Sequence, residues 1–223
     1  MKITFEILRR KTASDKPYTV EVALETEDTT VAEALDRINA EQLADDPVRW
    51  ECSCKQKKCG ACAMLINGRP RLACDTRLSE FAGGKITLAP LRKFPTICDL
   101  VIDRSVMTDN LAKLGAWLEN ESVPDKTNTA YEASRCLQCG CCLEVCPNFY
   151  AGGSFYGTAA LAPAARIIGE SGKDDYERMR KEYYQHIYTG CGKSLACRDI
   201  CPAGIDWERL LVNTNAAAVW KRL

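Results

Sequence analysis

The chain has 223 residues with 30 basic and 30 acidic side chains, so its formal net charge is zero. That balance lacks the basic surplus of a nucleic-acid binder, and no apolar run approaches the length of a membrane span, so any membrane association has to come through a partner. Fourteen cysteines in a chain long enough for one large or two small domains do not read as a disulfide scaffold, which is short and secreted; the N-terminus alternates like a strand and lacks the apolar segment of a leader, so the expectation is a reducing, cytoplasmic compartment with cysteines that serve metal.

Residues 2–8 set Ile3, Phe5 and Ile7 against Lys2, Thr4 and Glu6, and residues 18–24 repeat the alternation with Val20, Val22 and Leu24. With the turn-like segment 12–17 between them they predict a β-hairpin. Thr29 or Thr30 then caps a helix whose apolar face is Val31, Ala34, Leu35 and Ile38, and Asp45-Asp46-Pro47 ends it. Two strands followed by a helix begin a β-grasp pattern, the small fold of plant-type ferredoxins.

Cys54, Cys59 and Cys62 follow with the plant-type spacing C-x4-C-x2-C. Ala63–Ile66, the turn Asn67-Gly68 and residues 71–73 form a short hairpin that brings Cys74 back towards the loop. Gly60 lets the backbone pass close to a cluster and point N–H groups at it. The reading is a [2Fe–2S] cluster on Cys54, Cys59, Cys62 and Cys74, with Cys52 an alternative to Cys54 whose spacing to Cys59 is wrong. Lys55, Lys57 and Lys58 offset cluster charge, meet an acidic partner or simply face solvent. A strand at 85–91 closes this first domain, residues 92–96 with Pro95 read as a linker, and the boundary falls near residue 97, giving domains of 1–97 and 98–223.

The second domain is predicted to be helical, which makes the chain α+β. Apolar spacing suits helices at 99–104, 106–118, 158–169 (with Pro163), 174–188 and 207–223, while the polar segment 119–128 is a loop. Two cysteine runs lie among them. Cys136, Cys139, Cys142 and Cys146, then Pro147, have the spacing C-x2-C-x2-C-x3-C-P of bacterial ferredoxins, in which the fourth cysteine serves the other cluster. Cys191, Cys197 and Cys201, then Pro202, repeat the run with Ser194 in its second position. Crossover gives Cys136, Cys139, Cys142 and Cys201 to one cluster, and four thiolates suit a [4Fe–4S] cube. The other receives Cys146, Cys191 and Cys197. A hydroxyl is a far weaker ligand than a thiolate, so that site reads as [3Fe–4S]. Structural zinc is the competing interpretation of paired cysteines, but two matched runs each ending in proline favour iron–sulfur clusters. Cys52, Cys98 and Cys141 are left over as free thiols. A lone histidine, His186, with no acid–base constellation around it argues against hydrolytic chemistry.

These motifs, with Ala89-Pro-Leu and Asp99-Leu-Val-Ile-Asp103 around the linker, resemble over essentially the whole chain the iron–sulfur subunits of succinate dehydrogenases and fumarate reductases. The resemblance implies an electron-transfer subunit between the FAD of a separate flavoprotein and a quinone at a membrane-anchor subunit, with electrons passing through [2Fe–2S], [4Fe–4S] and [3Fe–4S] in turn. It implies a peripheral place on the cytoplasmic face of the inner membrane, held by partner subunits, and no nucleic acid. Pro147 and Asn148 would border the quinone site. Many family members carry a tryptophan after the first Cys-Pro and a histidine after the first cysteine of the second run. Here those stretches read Pro147-Asn148-Phe149-Tyr150 and Cys191-Gly192-Lys193, which leaves open another acceptor. The alternatives are an iron–sulfur subunit of a different flavoprotein reductase with a non-quinone acceptor, and a free ferredoxin-like carrier.

Overall fold

The computed structural model describes residues 1–81 and 83–220 and divides into two compact units, Met1–Asp103 and Arg104–Leu223. In the first, β1 (Lys2–Arg9) and β2 (Tyr18–Glu25) pair antiparallel without interruption from Lys2 opposite Glu25 to Arg9 opposite Tyr18. A second hairpin joins β3 (Ala63–Ile66) to β4 (Arg69–Leu72). Its return strand begins two residues before the expected one, because Asn67 (φ +49°) and Gly68 (φ +72°) alone make the turn. β5 (Lys85–Ala89) lies between the hairpins, parallel to β1 and antiparallel to β3, which gives the order β2-β1-β5-β3-β4. Ile3, Phe5 and Ile7 are buried with Val22, Leu24, Ile86 and Leu88. Helix α1 (Val31–Glu41) buries Val31, Ala34, Leu35 and Ile38, and the Thr30 hydroxyl caps it by accepting the Glu33 N–H at 3.2 Å.

Residues 99–104 are not helical. β6 (Thr96–Cys98) and β7 (Val101–Ile102) form a small bulged hairpin that stays with the first unit, six residues beyond the boundary expected at 97. The reason is a buried ion pair. The Arg9 side chain is 2% exposed and that of Asp99 0%. Arg9 donates to both Asp99 oxygens, at 3.3 and 3.1 Å, and the Asp99 carboxylate also accepts the N–H groups of Arg10 (2.9 Å) and Arg49 (3.0 Å). An end-of-strand arginine thus draws the linker into its own unit.

The second unit is helical: α2 (Ser105–Leu114), α3 (Ala130–Ser134), α4 (Cys141–Val145), α5 (Gly157–Glu170), α6 (Lys173–Tyr183), α7 (Ala196–Ile200) and α8 (Trp207–Asn215). α2 is shorter than its apolar spacing suggested because Gly115, at φ +64°, caps it. α6 and α8 each run on into a wider turn, Tyr184–Tyr188 and Ala216–Trp220. The last three residues of the helix expected over 207–223 lie outside the described residues. The polar segment 119–128 is a tied loop: the Asp125 carboxylate accepts the N–H groups of Thr127, Thr129 and Ala130, the last two at the start of α3.

α5 is the axis of this unit. It is buried nearly all round, as an apolar helix should be, and packs with Tyr183, Ile187, Trp207, Leu210 and Leu211. Its first residue, Gly157, has φ +75°, and a Cβ there would lie 2.3 Å from the Leu143 Cδ2 of α4. Gly157→Ala is therefore expected to destabilise the chain by about 1–3 kcal/mol, from the combined left-handed strain and overpacking. A thermal midpoint equal to the parent's would show that α4 and α5 can part without loss.

Candidate functional site

The first candidate site is the loop that precedes β3. Lys55 (φ +52°), Lys57 (φ +59°) and Gly60 (φ +74°) are left-handed, and the coiled loop turns its N–H groups inward. The Cys54 sulfur accepts from Gln56 (3.5 Å), Lys58 (3.2 Å) and Cys59 (3.3 Å). The Lys57 N–H reaches Cys74 at 3.3 Å, and the Cys62 and Cys74 sulfurs are 3.3 Å apart. The β3–β4 hairpin thus returns Cys74 to the loop. Cys52 lies in the same neighbourhood and accepts the Lys55 N–H, but burial pushes its thiol up. The N–H bonds of Gln56 and Lys58 lower Cys54 to about 6, whereas burial raises Cys62 to about 12. Sulfurs so crowded cannot all ionise beside one another, and a bound cation in place of the protons relieves that conflict. Two of the loop lysines are paired, Lys55 with Asp36 and Lys57 with Asp75.

The second unit holds the two cysteine runs, and their backbones repeat. Gln138 (φ +50°) and Gly140 (φ +87°) are left-handed in the first, Lys193 (φ +55°) and Leu195 (φ +56°) in the second. Each left-handed pair brackets one residue, Cys139 in the first run and Ser194 in the second. Each run then enters a five-residue helix, α4 or α7. Ser194 therefore occupies the place of Cys139 in conformation as well as in spacing. A leucine with positive φ is costly, which marks the turn as imposed by its surroundings.

These runs wall two cavities. One is lined by Cys136, Cys139, Cys142 and Cys201, with Ala159 and Trp207. The other is lined by Cys146, Cys191, Cys197 and Ser194, with Thr158 and Trp207. Cys146 belongs to the first run and Cys201 to the second, so each run sends its last cysteine across to the other cavity. Burial raises Cys136 to about 11 and Cys142 well above its ordinary value, while a hydrogen bond from the Cys141 thiol lowers Cys139 to about 7. Burial also raises Cys197, against a hydrogen bond from the Thr158 hydroxyl.

The donor set fits a polynuclear sulfur-bridged group. Trp207, which lines both cavities, buries an indole N–H that no acceptor of the described residues meets. Sulfide is such an acceptor.

Comparison with known proteins agrees. Residues 4–109 match the family model described as 2Fe-2S iron-sulfur cluster binding domain, and residues 132–205 the 4Fe-4S dicluster domain. The succinate dehydrogenase iron–sulfur subunit of Bacillus subtilis (strain 168) is 34% identical over an alignment that takes in 96% of this chain and 91% of that one. The chain belongs to the succinate dehydrogenase and fumarate reductase iron–sulfur subunits. Like its relatives of that name it is the electron-transfer subunit of an oxidoreductase. The fumarate reductase iron–sulfur subunit of Wolinella succinogenes is 30% identical, covering 89% of this chain and 88% of its own. In fold, the chain superimposes with a TM-score of 0.82 on one from the structure titled Mycobacterium smegmatis Sdh1 complex in the apo form, at 23% identity and with 99% and 97% of the two chains covered.

In this iron–sulfur subunit Pro147 and Asn148 line the cavity of Cys146, Cys191 and Cys197, and the Asn148 amide donates to the Gly190 carbonyl at 2.6 Å. His186 serves packing: it stacks on Tyr156 with centroids 4.3 Å apart and hydrogen-bonds the Ser154 carbonyl. No helix of the described residues is long and apolar enough to cross a membrane. Spacing alone did not single out Trp207, Thr158 or Gln138, because the motif carries no mark of which residues from other helices close each cavity.

Proposed function

We propose that the chain is a single-electron wire between a flavoprotein and a membrane-bound acceptor, built from a β-grasp plant-type ferredoxin domain and a bacterial-ferredoxin-like domain, near the divisions 1–97 and 98–223. The observation that carries this reading is the pair of crossed cavities, one with four cysteines and one with three cysteines and a serine. Cys54, Cys59, Cys62 and Cys74 hold a [2Fe–2S] cluster; Cys136, Cys139, Cys142 and Cys201 hold [4Fe–4S]; Cys146, Cys191 and Cys197 hold [3Fe–4S]. When bound, the clusters accept and release single electrons between FAD and a quinone, each of which exchanges two. The residues of this chain set ligation, burial and hydrogen bonding, which fix cluster potentials. Pro147 and Asn148 border the acceptor end. A membrane-anchor subunit supplies the quinone, and the chain sits peripherally on the cytoplasmic face through its partners. The absence of tryptophan and histidine from the stretches after Cys146 and Cys191 supports an acceptor site built differently from that of the ubiquinone enzymes.

The partner claim is tested by isolating the tagged chain from detergent-solubilised membranes. The expected preparation carries FAD in proportion to the chain, and succinate reduces its clusters. A chain that isolates alone, coloured but without flavin, supports the free-carrier alternative instead. Within the wire, Cys74→Ala is expected to remove the reduced-state [2Fe–2S] resonance completely and leave the other two clusters. Persistence of that resonance would transfer the ligand role to another cysteine, Cys52 first.

A further inference from the structure

Gln138 sits between Cys136 and Cys139 in a left-handed conformation, and its side-chain amide makes two hydrogen bonds. Nε2 lies 2.9 Å from the Ala159 carbonyl and 3.2 Å from the Cys136 sulfur. The first contact has a cause in the sequence of α5. A helical carbonyl ordinarily accepts the N–H four residues on, and four residues after Ala159 stands Pro163, which has none. Ala159 is 3% exposed, so its carbonyl has little access to water, and leaving a buried polar group unpaired is costly. Gln138 supplies the missing donor. A carbonyl only accepts, so the contact also fixes which end of the amide is NH2. One hydrogen is spent on Ala159, and the other is directed at the Cys136 sulfur. The Gln138 backbone N–H bonds the same sulfur.

We propose that Gln138 is a positioning residue that raises the reduction potential of the cluster held by Cys136, through an N–H···S bond aimed by the carbonyl that Pro163 leaves free. This rests on Cys136 being a [4Fe–4S] ligand, as proposed above. Reduction adds negative charge to the cluster and its thiolates. A donor on the sulfur therefore stabilises the reduced form more than the oxidised one, and does so strongly in a buried site where water does not compete. The cavity wall places the donor: Gln138 and Ala159 both line the four-cysteine space and neither lines the other. The effect belongs to one cluster of three.

The test is a redox titration of the intact complex followed by electron paramagnetic resonance, with Gln138→Leu and Gln138→Glu beside the parent. Leucine removes the donor and keeps bulk. Glutamate keeps the shape but carries no N–H: protonated, it has one hydrogen for the Ala159 carbonyl and none for the sulfur, and ionised it adds a charge that lowers the potential further. Each is expected to lower the one-electron reduction equilibrium of the four-iron cluster at least about tenfold, which is ~59 mV, with the other two unmoved. Either variant titrating within about twofold of the parent, cluster intact, would overturn the proposal, since a bond of this kind has to register there. A Cys136→Ala control separates the two levels of the claim. If its four-iron resonance persisted, the ligand assignment would fall first and the role of Gln138 with it.

Discussion

Ser194→Cys is expected to abolish the oxidised-state resonance of the proposed three-iron cluster and replace it with that of a second four-iron cluster, seen only on reduction. Ser194 stands between Lys193 and Leu195, both left-handed, as Cys139 stands between Gln138 and Gly140. Both residues line their cavities beside three cysteines. A cysteine at 194 therefore presents its sulfur where Cys139 presents its own, and supplies the fourth thiolate. The oxidised signal should fall from near-stoichiometric to background, and the potential of the site should drop, because the added thiolate makes the cluster harder to reduce. An unchanged oxidised resonance in a well-loaded variant would show that Ser194 does not face the missing corner.

Asp99→Ala is expected to destabilise the first unit by about 3–5 kcal/mol, the range for removing one partner of a buried ion pair. Arg9 would then keep its contacts to Asp46 and the Pro47 carbonyl but lose the partner that is fully buried with it. The Arg10 and Arg49 N–H groups would lose their acceptor as well. Asp99→Asn, of the same shape, is expected to cost less. There is a matching pH dependence. Burial alone would raise the Asp99 carboxyl, but the Arg9 bond and the two N–H bonds outweigh it and hold it below the usual value. The unfolded chain thus binds this proton more readily. The stabilisation is fully present above the unfolded carboxyl value, about 3.9, and is lost as pH falls through the lower folded value. Denaturant unfolding followed across that interval should show a shallower acid limb in Asp99→Asn than in the parent. Equal limbs would place the acid sensitivity in other carboxylates.

The features legible in the sequence are local ones. Alternation over β1 and β2 is a property of eight residues at a time, and Asn67-Gly68 is nearly sufficient for its own turn. Cysteine spacing is likewise local: a cluster draws most of its ligands from one short segment, so the loops around Cys54 and the two runs announce themselves. What sequence did not show depends on distant partners. The extent of the first unit turns on Arg9 meeting Asp99 across 90 residues, and nothing in the 96–103 segment alone favours a hairpin over a helical turn. Pro163 is read from the sequence as lying near the start of a helix, but its consequence, a carbonyl released to Gln138, requires knowing that α5 passes beside the first cysteine run. The role of Trp207 as the wall shared by both cavities has the same character.

The measurement that tests the three-cluster account most directly is electron paramagnetic resonance on the intact complex, first as oxidised and then after reduction. The expected result is a sharp oxidised-state signal of a [3Fe–4S] cluster near one per chain, joined on reduction by that of [2Fe–2S]. An iron-replete sample silent in the oxidised state would contradict it, because the cavity lined by Cys146, Cys191, Cys197 and Ser194 would then hold a complete cube or no cluster.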